Sequence, residues 1–225
     1  MDKNFKYIEK NFIEIENLSK LTNLSIAEIE DFVEKKLIPS YSYSVSIDLK
    51  ITSPLNDSYS NQVQKKYFGK NVLSLLNHLK NNPTDPAKIK NRFKQNFIKR
   101  LKEHKYKEFA YDDILKNNNE KLEEAFEEEW DFYCKGGYGI CTLNVTENDI
   151  IDKEIAVKRL ISFNEKYATK KITEEQKKEL TILNDEFNKI ASLFAPYQRK
   201  SSSRGKYLDK ILTDNKMEEL IKNYD

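Results

Sequence analysis

The sequence predicts a mainly α-helical protein that carries one small β hairpin. Three observations predict this fold class: apolar residues that recur at helical spacing, capping residues where several of those segments begin, and one stretch of strict apolar-polar alternation. The chain has only five glycines and five prolines in 225 residues, so few positions interrupt the helices.

Residues 12–39 are predicted to form two short helices joined by a tight turn at Asn23. Ser25 begins the second helix, and Glu28 follows three residues later as in a capping box. Pro39 ends the segment. The apolar positions of the two helices are Ile15, Leu18, Leu21, Ile26, Ile29, Phe32 and Val33.

Residues 41–51 alternate strictly and are predicted to form a strand, because alternating side chains face opposite sides of a sheet. The apolar face consists of Tyr41, Tyr43, Val45, Ile47, Leu49 and Ile51. Since a lone strand is unstable, it needs a partner, which is either residues 59–68 or residues 140–145. We favour residues 59–68, which would complete a hairpin.

The rest of the chain is predicted to be helical. The expected helices span residues 71–81, 86–106, 111–134, 147–163, 174–194 and 205–223. Capping boxes are predicted for two of them, with Thr146 and Asp149 in one and Thr173 and Gln176 in the other. The stretch 81–86 is the expected boundary between a first domain, residues 1–82, and a helical second domain, residues 83–225.

Composition and charge exclude several classes of protein. The net charge is +2, so no overall positive field favours nucleic acid. Residues 84–110 carry +6 and residues 111–131 carry −7, and we expect these blocks to neutralise each other between packed helices. No apolar run is long enough to span a membrane, and no secretory signal is visible, so we expect a cytoplasmic protein with reduced cysteines. The two cysteines and two histidines that could bind zinc are scattered over about sixty residues, so a structural zinc site is disfavoured, and no cofactor is predicted.

Ser25-Ile26, Ile29 and Leu37-Ile38-Pro39 resemble the helix-turn-helix of MerR-type regulators, and residues 67–79 look like the helix after its β wing. The resemblance implies a winged helix-turn-helix over residues 1–82. Two departures from the family pattern stand out: Lys36 replaces a glycine, and the second helix is acidic. The acidic residues are Glu28, Glu30, Asp31 and Glu34. Because carboxylates repel the phosphate backbone, we expect this unit to serve as a scaffold, with DNA binding as the alternative.

The segment "CKGGYGICTLNV", residues 134–145, holds three of the five glycines and both cysteines. We expect Gly136 to end a helix in the left-handed region and an extended run to follow. A phosphate cradle is disfavoured because no strand precedes the glycines. Cys141 is a weak candidate for a catalytic thiol, against the alternative of inert packing, and Tyr138 and Gly137 are candidate lining residues of a pocket.

The segment "FAPYQRKSSSRGKY", residues 194–207, combines two arginines with three serines where a helix is expected to begin. Guanidinium and hydroxyl groups bind phosphates and carboxylates, so Arg199, Ser202, Ser203 and Arg204 form a candidate anion site. The alternative is that the serines cap the helix and the basic residues are solvated.

The pieces "LIPSYSY", "GGYGIC", "FAPYQR" and "SSR" are together similar to a bacterial family, domain of unknown function 6058, some members of which are described as natural product biosynthesis proteins. The resemblance implies a role near secondary metabolism without a defined reaction. Our leading hypothesis is therefore an accessory protein that binds an anionic small molecule or a carrier-linked intermediate. A DNA-binding regulator and a thiol-dependent enzyme using Cys141 are the alternatives, and whether the protein is an enzyme stays open.

Overall fold

The computed structural model describes residues 2–110, 119–167 and 172–224. Within them the chain is mainly helical and contains one three-stranded antiparallel sheet. No helix in the described ranges has the length and apolar character needed to cross a membrane.

The first part of the chain contains the whole sheet and four helices. Its elements are α1 (Lys3–Asn11), β1 (Phe12–Glu14), α2 (Ile15–Thr22), α3 (Ile26–Glu34), β2 (Tyr43–Thr52), β3 (Ser58–Gly69) and α4 (Asn71–Asn81).

The second part is helical wherever it is described. Its elements are α5 (Pro86–Glu103), a 3-10 turn (Lys107–Phe109), α6 (Asn119–Cys134), α7 (Gly137–Cys141), α8 (Glu147–Tyr167), α9 (Glu174–Asn188), α10 (Pro196–Arg199), a π-helix (Arg204–Asp209), α11 (Lys210–Asp214) and a second 3-10 turn (Glu218–Leu220).

The predicted capping box at the start of α3 is present. The Glu28 backbone N–H donates to the Ser25 hydroxyl at 3.2 Å, and the Ser25 N–H donates to the Glu28 carboxylate at 2.7 Å. Thr173 and Gln176 make the same reciprocal pair at α9. Thr146 and Asp149 make a third reciprocal pair at α8, at 3.1 and 3.5 Å. Each box satisfies donors that a helix start leaves free, which confirms all three predictions.

The predicted β hairpin is confirmed, with β3 as the partner of β2. The register runs from Tyr43 opposite Tyr67 to Thr52 opposite Ser58. β1, which the sequence did not reveal, adds to the other side of β3 and gives the strand order β1-β3-β2. Residues 140–145, the alternative partner, lie outside the sheet.

Four clusters of buried side chains hold the elements together. α2, α3 and α4 share one cluster built around Leu18, Ile29 and Leu76. The base of the hairpin packs on α1 through Tyr43 and Tyr67. The two larger clusters, both in the helical part, lie around α5, α6 and the start of α8, and around α8, α9 and α11.

Two predictions about the core of the first part were wrong. Leu21, expected in the buried stripe, is 59% exposed, and Thr22 is buried instead because the left-handed turn at Asn23 ends the helix there. The outer half of the strand is also exposed on both faces, so Leu49 and Ile51 lie in solvent rather than in the core.

Four predicted helices differ in length from the observed ones. α8 continues to Tyr167, past the expected end at residue 163. α5 ends at Glu103, where the His104 imidazole accepts the Tyr106 N–H at 3.0 Å. α9 ends at Asn188 instead of residue 194, because the chain leaves the helix to run beside Leu143. The expected helix over residues 205–223 is divided into the π-helix, α11 and a 3-10 turn. Of the helix predicted over residues 111–134, residues 111–118 lie outside the described residues.

The two charge blocks face each other, as predicted. Lys90 of α5 pairs with Glu127 of α6 at 2.6 Å, and Lys94 pairs with Glu123. The blocks therefore neutralise each other at a helix contact, which weakens the case for a polyanion-binding patch.

Candidate ligand-binding site

The glycine segment begins as predicted and then departs from the prediction. Gly136 has φ 78° and follows the last turn of α6, which confirms the expected left-handed cap. The extended run expected after it was wrong, since Gly137–Cys141 forms the short helix α7. Its turn is closed by the Thr142 N–H, which donates to the Tyr138 carbonyl at 2.9 Å.

The glycines allow the first part of the chain to approach the second closely. The Ser40 N–H donates to the Cys134 carbonyl at 2.8 Å, and the Ser42 hydroxyl donates to the Gly136 carbonyl at 2.8 Å. A Cβ atom at Gly136 would collide with the Ser40 carbonyl, and one at Gly139 would collide with the Ser42 hydroxyl. The segment is therefore a docking corner that joins the two parts of the chain.

Cys141 lies in the helical core and is only 6% exposed. Burial raises the pKa of its thiol, and nearby Lys153 offsets the shift only in part. Burial likewise raises the pKa of Cys134 to about 11. Both environments favour the unreactive thiol over the thiolate that a catalytic cysteine needs.

Arg204 is fully buried and makes only internal contacts in the part of the chain that the structure describes. Its guanidinium donates to the carbonyls of Ser192 at 3.0 Å and Ala191 at 3.2 Å and to the side-chain oxygen of Asn188 at 2.8 Å. It also lies 5.1 Å from the Phe187 ring centre. Burial lowers the pKa of Arg204 to about 10, so the group stays charged at neutral pH and holds the 188–192 segment in place.

Arg199 and the serines also bond within the chain. The Arg199 guanidinium forms a two-pronged pair with Asp209, at 2.7 and 3.1 Å, and donates to the Lys222 carbonyl at 2.8 Å. The Ser202 hydroxyl donates to the Arg199 carbonyl at 2.7 Å. The Ser203 hydroxyl is buried, with no hydrogen-bond partner among the described residues. These groups are arranged to close a loop rather than to face solvent.

The two predicted motifs meet on one segment, residues 190–194. From the glycine side, the Ser192 hydroxyl donates to the Ile140 carbonyl, and the Ser192 N–H donates to the Cys141 carbonyl at 3.3 Å. From the other side, Arg204 donates to the Ser192 carbonyl. Tyr138 is buried 4.9 Å from the Phe132 ring centre. The structure thus connects the two motifs through hydrogen bonds in the interior of the protein.

An open cavity of about 360 Å³ lies beside this segment, against α1. It is bounded by Lys3, Lys6, Tyr7, Lys10, Asn11, Leu193, Pro196 and Tyr224. Its surface is mostly apolar, while the three lysines stand at its edge. A ligand with an apolar body and a negative group fits this distribution.

α1 presents the lysines together because they are separated by three and four residues, which places them on one helical face. Asp2 fixes the start of the helix by accepting the N–H groups of Asn4 at 2.8 Å and Phe5 at 3.2 Å. In the described ranges, none of the three ammonium groups lies within an ion-pair distance of a carboxylate. Their charge is therefore available to a ligand.

Two tyrosines form the inner wall of the cavity. The rings of Tyr7 and Tyr224 meet edge to face with centres 5.7 Å apart. The Tyr224 hydroxyl donates to the Phe194 carbonyl at 3.0 Å, and the Arg199 guanidinium lies 5.2 Å from the Tyr224 ring centre. Burial raises the pKa of Tyr7, so its hydroxyl stays neutral. Arg199, predicted to bind an anion, instead supports the wall from behind.

Sequence reasoning missed this cavity because it did not predict α1. A signal was present in "MDKNFKYIEKNF", where lysines recur at helical spacing on either side of a tyrosine. The other wall, from Leu193 to Pro196, comes from a distant part of the chain and left no local pattern.

Two further cavities lie along the contact between the two parts of the chain. One, of about 300 Å³, shares Tyr7, Asn11 and Leu193 with the lysine cavity. The other, of about 360 Å³, lies between α4 and α5 and has charged groups of both signs, Arg92 and Glu147. No group of three or more candidate metal ligands was found among the described residues.

Comparison with known proteins identifies the family of the helical part. No curated protein and no solved structure matches the chain. A family model described as a family of unknown function, DUF6058, matches residues 89–216, which is more than half of the chain. The chain therefore belongs to the DUF6058 family.

Proposed function

We propose that this protein binds an amphiphilic anion, a carboxylate or phosphate ester with an aliphatic or aromatic body, in the cavity between α1 and residues 193–196. The observation that carries the proposal is three ammonium groups that form no ion pair with any described residue, at the edge of a mostly apolar cavity of about 360 Å³. The volume lies within the range of small-molecule sites.

The apolar walls supply the larger share of the binding energy. Burying the body of a ligand against Leu193, Pro196 and the tyrosine rings contributes about 25 cal/mol per Å² of apolar surface. The ammonium groups, which are exposed, each contribute about 0.5–1 kcal/mol and select the charge of the ligand.

The chemistry of the cavity favours binding over catalysis. Its described lining consists of lysines, tyrosines, an asparagine and apolar residues, and it includes no carboxylate, imidazole or thiol. General acid-base catalysis usually employs such groups with a pKa near neutrality, whereas burial moves the pKa of Tyr7 upward, away from neutrality.

A role in natural product biosynthesis remains part of the proposal through the class of ligand. An acyl intermediate joined to a carrier, or released from one, has an apolar chain and a negative group. The cavity suits that combination better than the arginine-serine loop, whose guanidinium groups are occupied internally.

The test is a titration of the purified protein with decanoate and decyl phosphate by isothermal calorimetry, with decanol as the uncharged probe. We expect both anions to bind and decanol to bind more weakly. In the variant with Lys3, Lys6 and Lys10 changed to glutamine, about 2 kcal/mol of affinity should be lost, which is about 30-fold.

Lys20→Gln is the matched control, because Lys20 is an exposed lysine on α2 that is not part of the cavity lining. It should bind like the unmodified protein, and all variants should melt at the same temperature. Equal affinity of the triple variant for the anions, or equal affinity of the protein for anions and decanol, would refute the proposal.

A DNA-binding regulator is the second candidate, favoured by the order of elements in the first part. The order helix, strand, helix, helix, strand and strand, with the sheet order β1-β3-β2, is what supports a winged helix-turn-helix of the MerR type in this proposal. The charges oppose it, because Lys66 and Lys35 are paired with Glu30 and Asp31 of α3 and do not present a free positive charge to phosphates. Retarded migration of promoter DNA at low salt, abolished by moderate salt, would favour this candidate over a scaffold.

A further inference from the structure

The outer part of the β2–β3 hairpin projects into solvent. From Asp48 on β2, and through Gln64 on β3, the strand residues are exposed. A two-stranded ribbon with both faces in water is at best marginally stable by itself, so pairing with further strands would stabilise it.

One face of the ribbon is mostly apolar, interrupted by Asn61 opposite Leu49. The register places Ile47 opposite Val63 and Ile51 opposite Tyr59, and Leu49 lies between these pairs on the same face. Leu49 is 39%, Ile51 51%, Tyr59 54% and Val63 36% exposed. Together these four residues expose roughly 350 Å², which is within the range of the largest apolar patches on monomers.

The outer edge of β2 is unpaired. β2 is the last strand of the sheet, and no other strand in the described ranges joins it. Its exposed length carries one acidic and one basic residue, Asp48 and Lys50, both on the polar face. An open edge of this kind accepts another strand through backbone hydrogen bonds.

We propose that β2 of one molecule pairs in antiparallel fashion with β2 of a second copy, around a twofold axis at Leu49. This register places Leu49 opposite its own copy and Ile47 opposite Ile51, which joins the two apolar faces. On the other face it places Asp48 opposite Lys50, twice in each dimer.

The charge pattern selects a second copy as the occupant. In an antiparallel pair of identical strands, each residue faces a residue of the same sequence read in reverse. Around Leu49, this places apolar residues opposite apolar residues and Asp48 opposite Lys50, so the strand is complementary to a second copy of itself. A twofold interface of this kind also closes without exposing a new edge. The register uses only residues 46–52, so Tyr43 and the buried base of the hairpin are undisturbed. The pairing places the two apolar patches side by side on one face of the extended sheet, and backbone hydrogen bonds and facing side-chain pairs hold it together.

Charge exchange tests this register by analytical ultracentrifugation across a wide concentration range. The unmodified protein should reach twice the 26.6 kDa mass of one chain. Asp48→Lys and Lys50→Asp should each place like charges opposite each other and weaken the dimer about tenfold or more. The double variant should restore it.

Lys50→Asp is the more informative single variant, because Asp48 also accepts a hydrogen bond from Gln62 of its own chain at 3.1 Å. Leu49→Asp should abolish the dimer by placing two carboxylates at the axis. Thermal melts of dilute, monomeric samples should show that all variants fold. A protein that stays monomeric at every concentration, or a dimer of equal strength in all four charge forms, overturns the proposal. Neither result bears on ligand binding in the lysine cavity.

Discussion

Replacing Arg204 by methionine tests whether the arginine is a structural group or a ligand-binding one. The side chain is 0% exposed and donates to Ser192, Ala191 and Asn188. Methionine would fill much of the space but leave these three acceptors without their charged donor. A hydrogen bond to a charged group contributes about 1.5–3 kcal/mol, and the desolvation of the guanidinium offsets part of the sum. We therefore expect a loss of about 3–4 kcal/mol in the free energy of unfolding.

Urea unfolding followed by circular dichroism measures this loss. With a slope of about 2–3 kcal/mol per molar urea, the midpoint should fall by about 1.5 M. Arg92→Met is the control, because Arg92 is exposed and makes no ion pair in the described ranges, and its midpoint should stay within about 0.2 M of the original. A midpoint for Arg204→Met equal to that of the control would refute the structural role and restore Arg204 as a candidate for anion binding.

Three other predictions concern the docking corner, the charge network and the thiol. Gly136→Ala should lower the free energy of unfolding in urea by about 2–3 kcal/mol, because φ at Gly136 is positive and the new Cβ would collide with backbone atoms. Gly137→Ala should lower it by about 1 kcal/mol or less, since the new Cβ would meet only the half-exposed ring of Phe132, which can move. Burial lowers the pKa of His104, so the unfolded chain binds a proton at a higher pH than the folded protein does. The stability of the fold should therefore fall as pH drops from about 6.5 towards the lower pKa of the folded state. Thermal melts of His104→Gln across this pH range should show a smaller decline. Iodoacetamide should label Cys141 only after unfolding, as read by peptide mapping; rapid labelling of the folded protein would revive the thiol enzyme.

Features that depend on neighbouring residues were predictable from the sequence. The capping boxes at Ser25 and Thr173 need only a side chain and a backbone group three residues apart. The hairpin was likewise visible, because β2 alternates with a period of two over ten residues. β1 was missed because it is only three residues long and continues directly into α2.

Features that depend on contacts between distant segments were not predictable. Gly205 allows the π-helix, since a Cβ there would collide with the Arg199 carbonyl. No pattern within residues 205–223 announces that contact. The same limit applied to the candidate site. A loop of arginines and serines has the same sequence whether it binds an anion or stabilises the fold through internal hydrogen bonds. For Arg204, the burial of the side chain is what favours the structural role.

The placement of the lysine cavity follows from how the two parts of the chain are joined. Its lysines belong to α1, outside the residues matched by the family model, while Leu193 and Pro196 lie inside them. The wall formed by Leu193 and Pro196 adjoins Ser192, which Arg204 binds from one side and the docking corner binds from the other. This wall is thus tied to the helical core, whereas the charge comes from a surface helix whose lysines form no ion pair with the residues that the structure describes. Charge changes on α1 should therefore alter the ligand preference without destabilising the fold. In the proposed site, α1 would determine which ligand is selected, and the helical part would determine the stability of the wall.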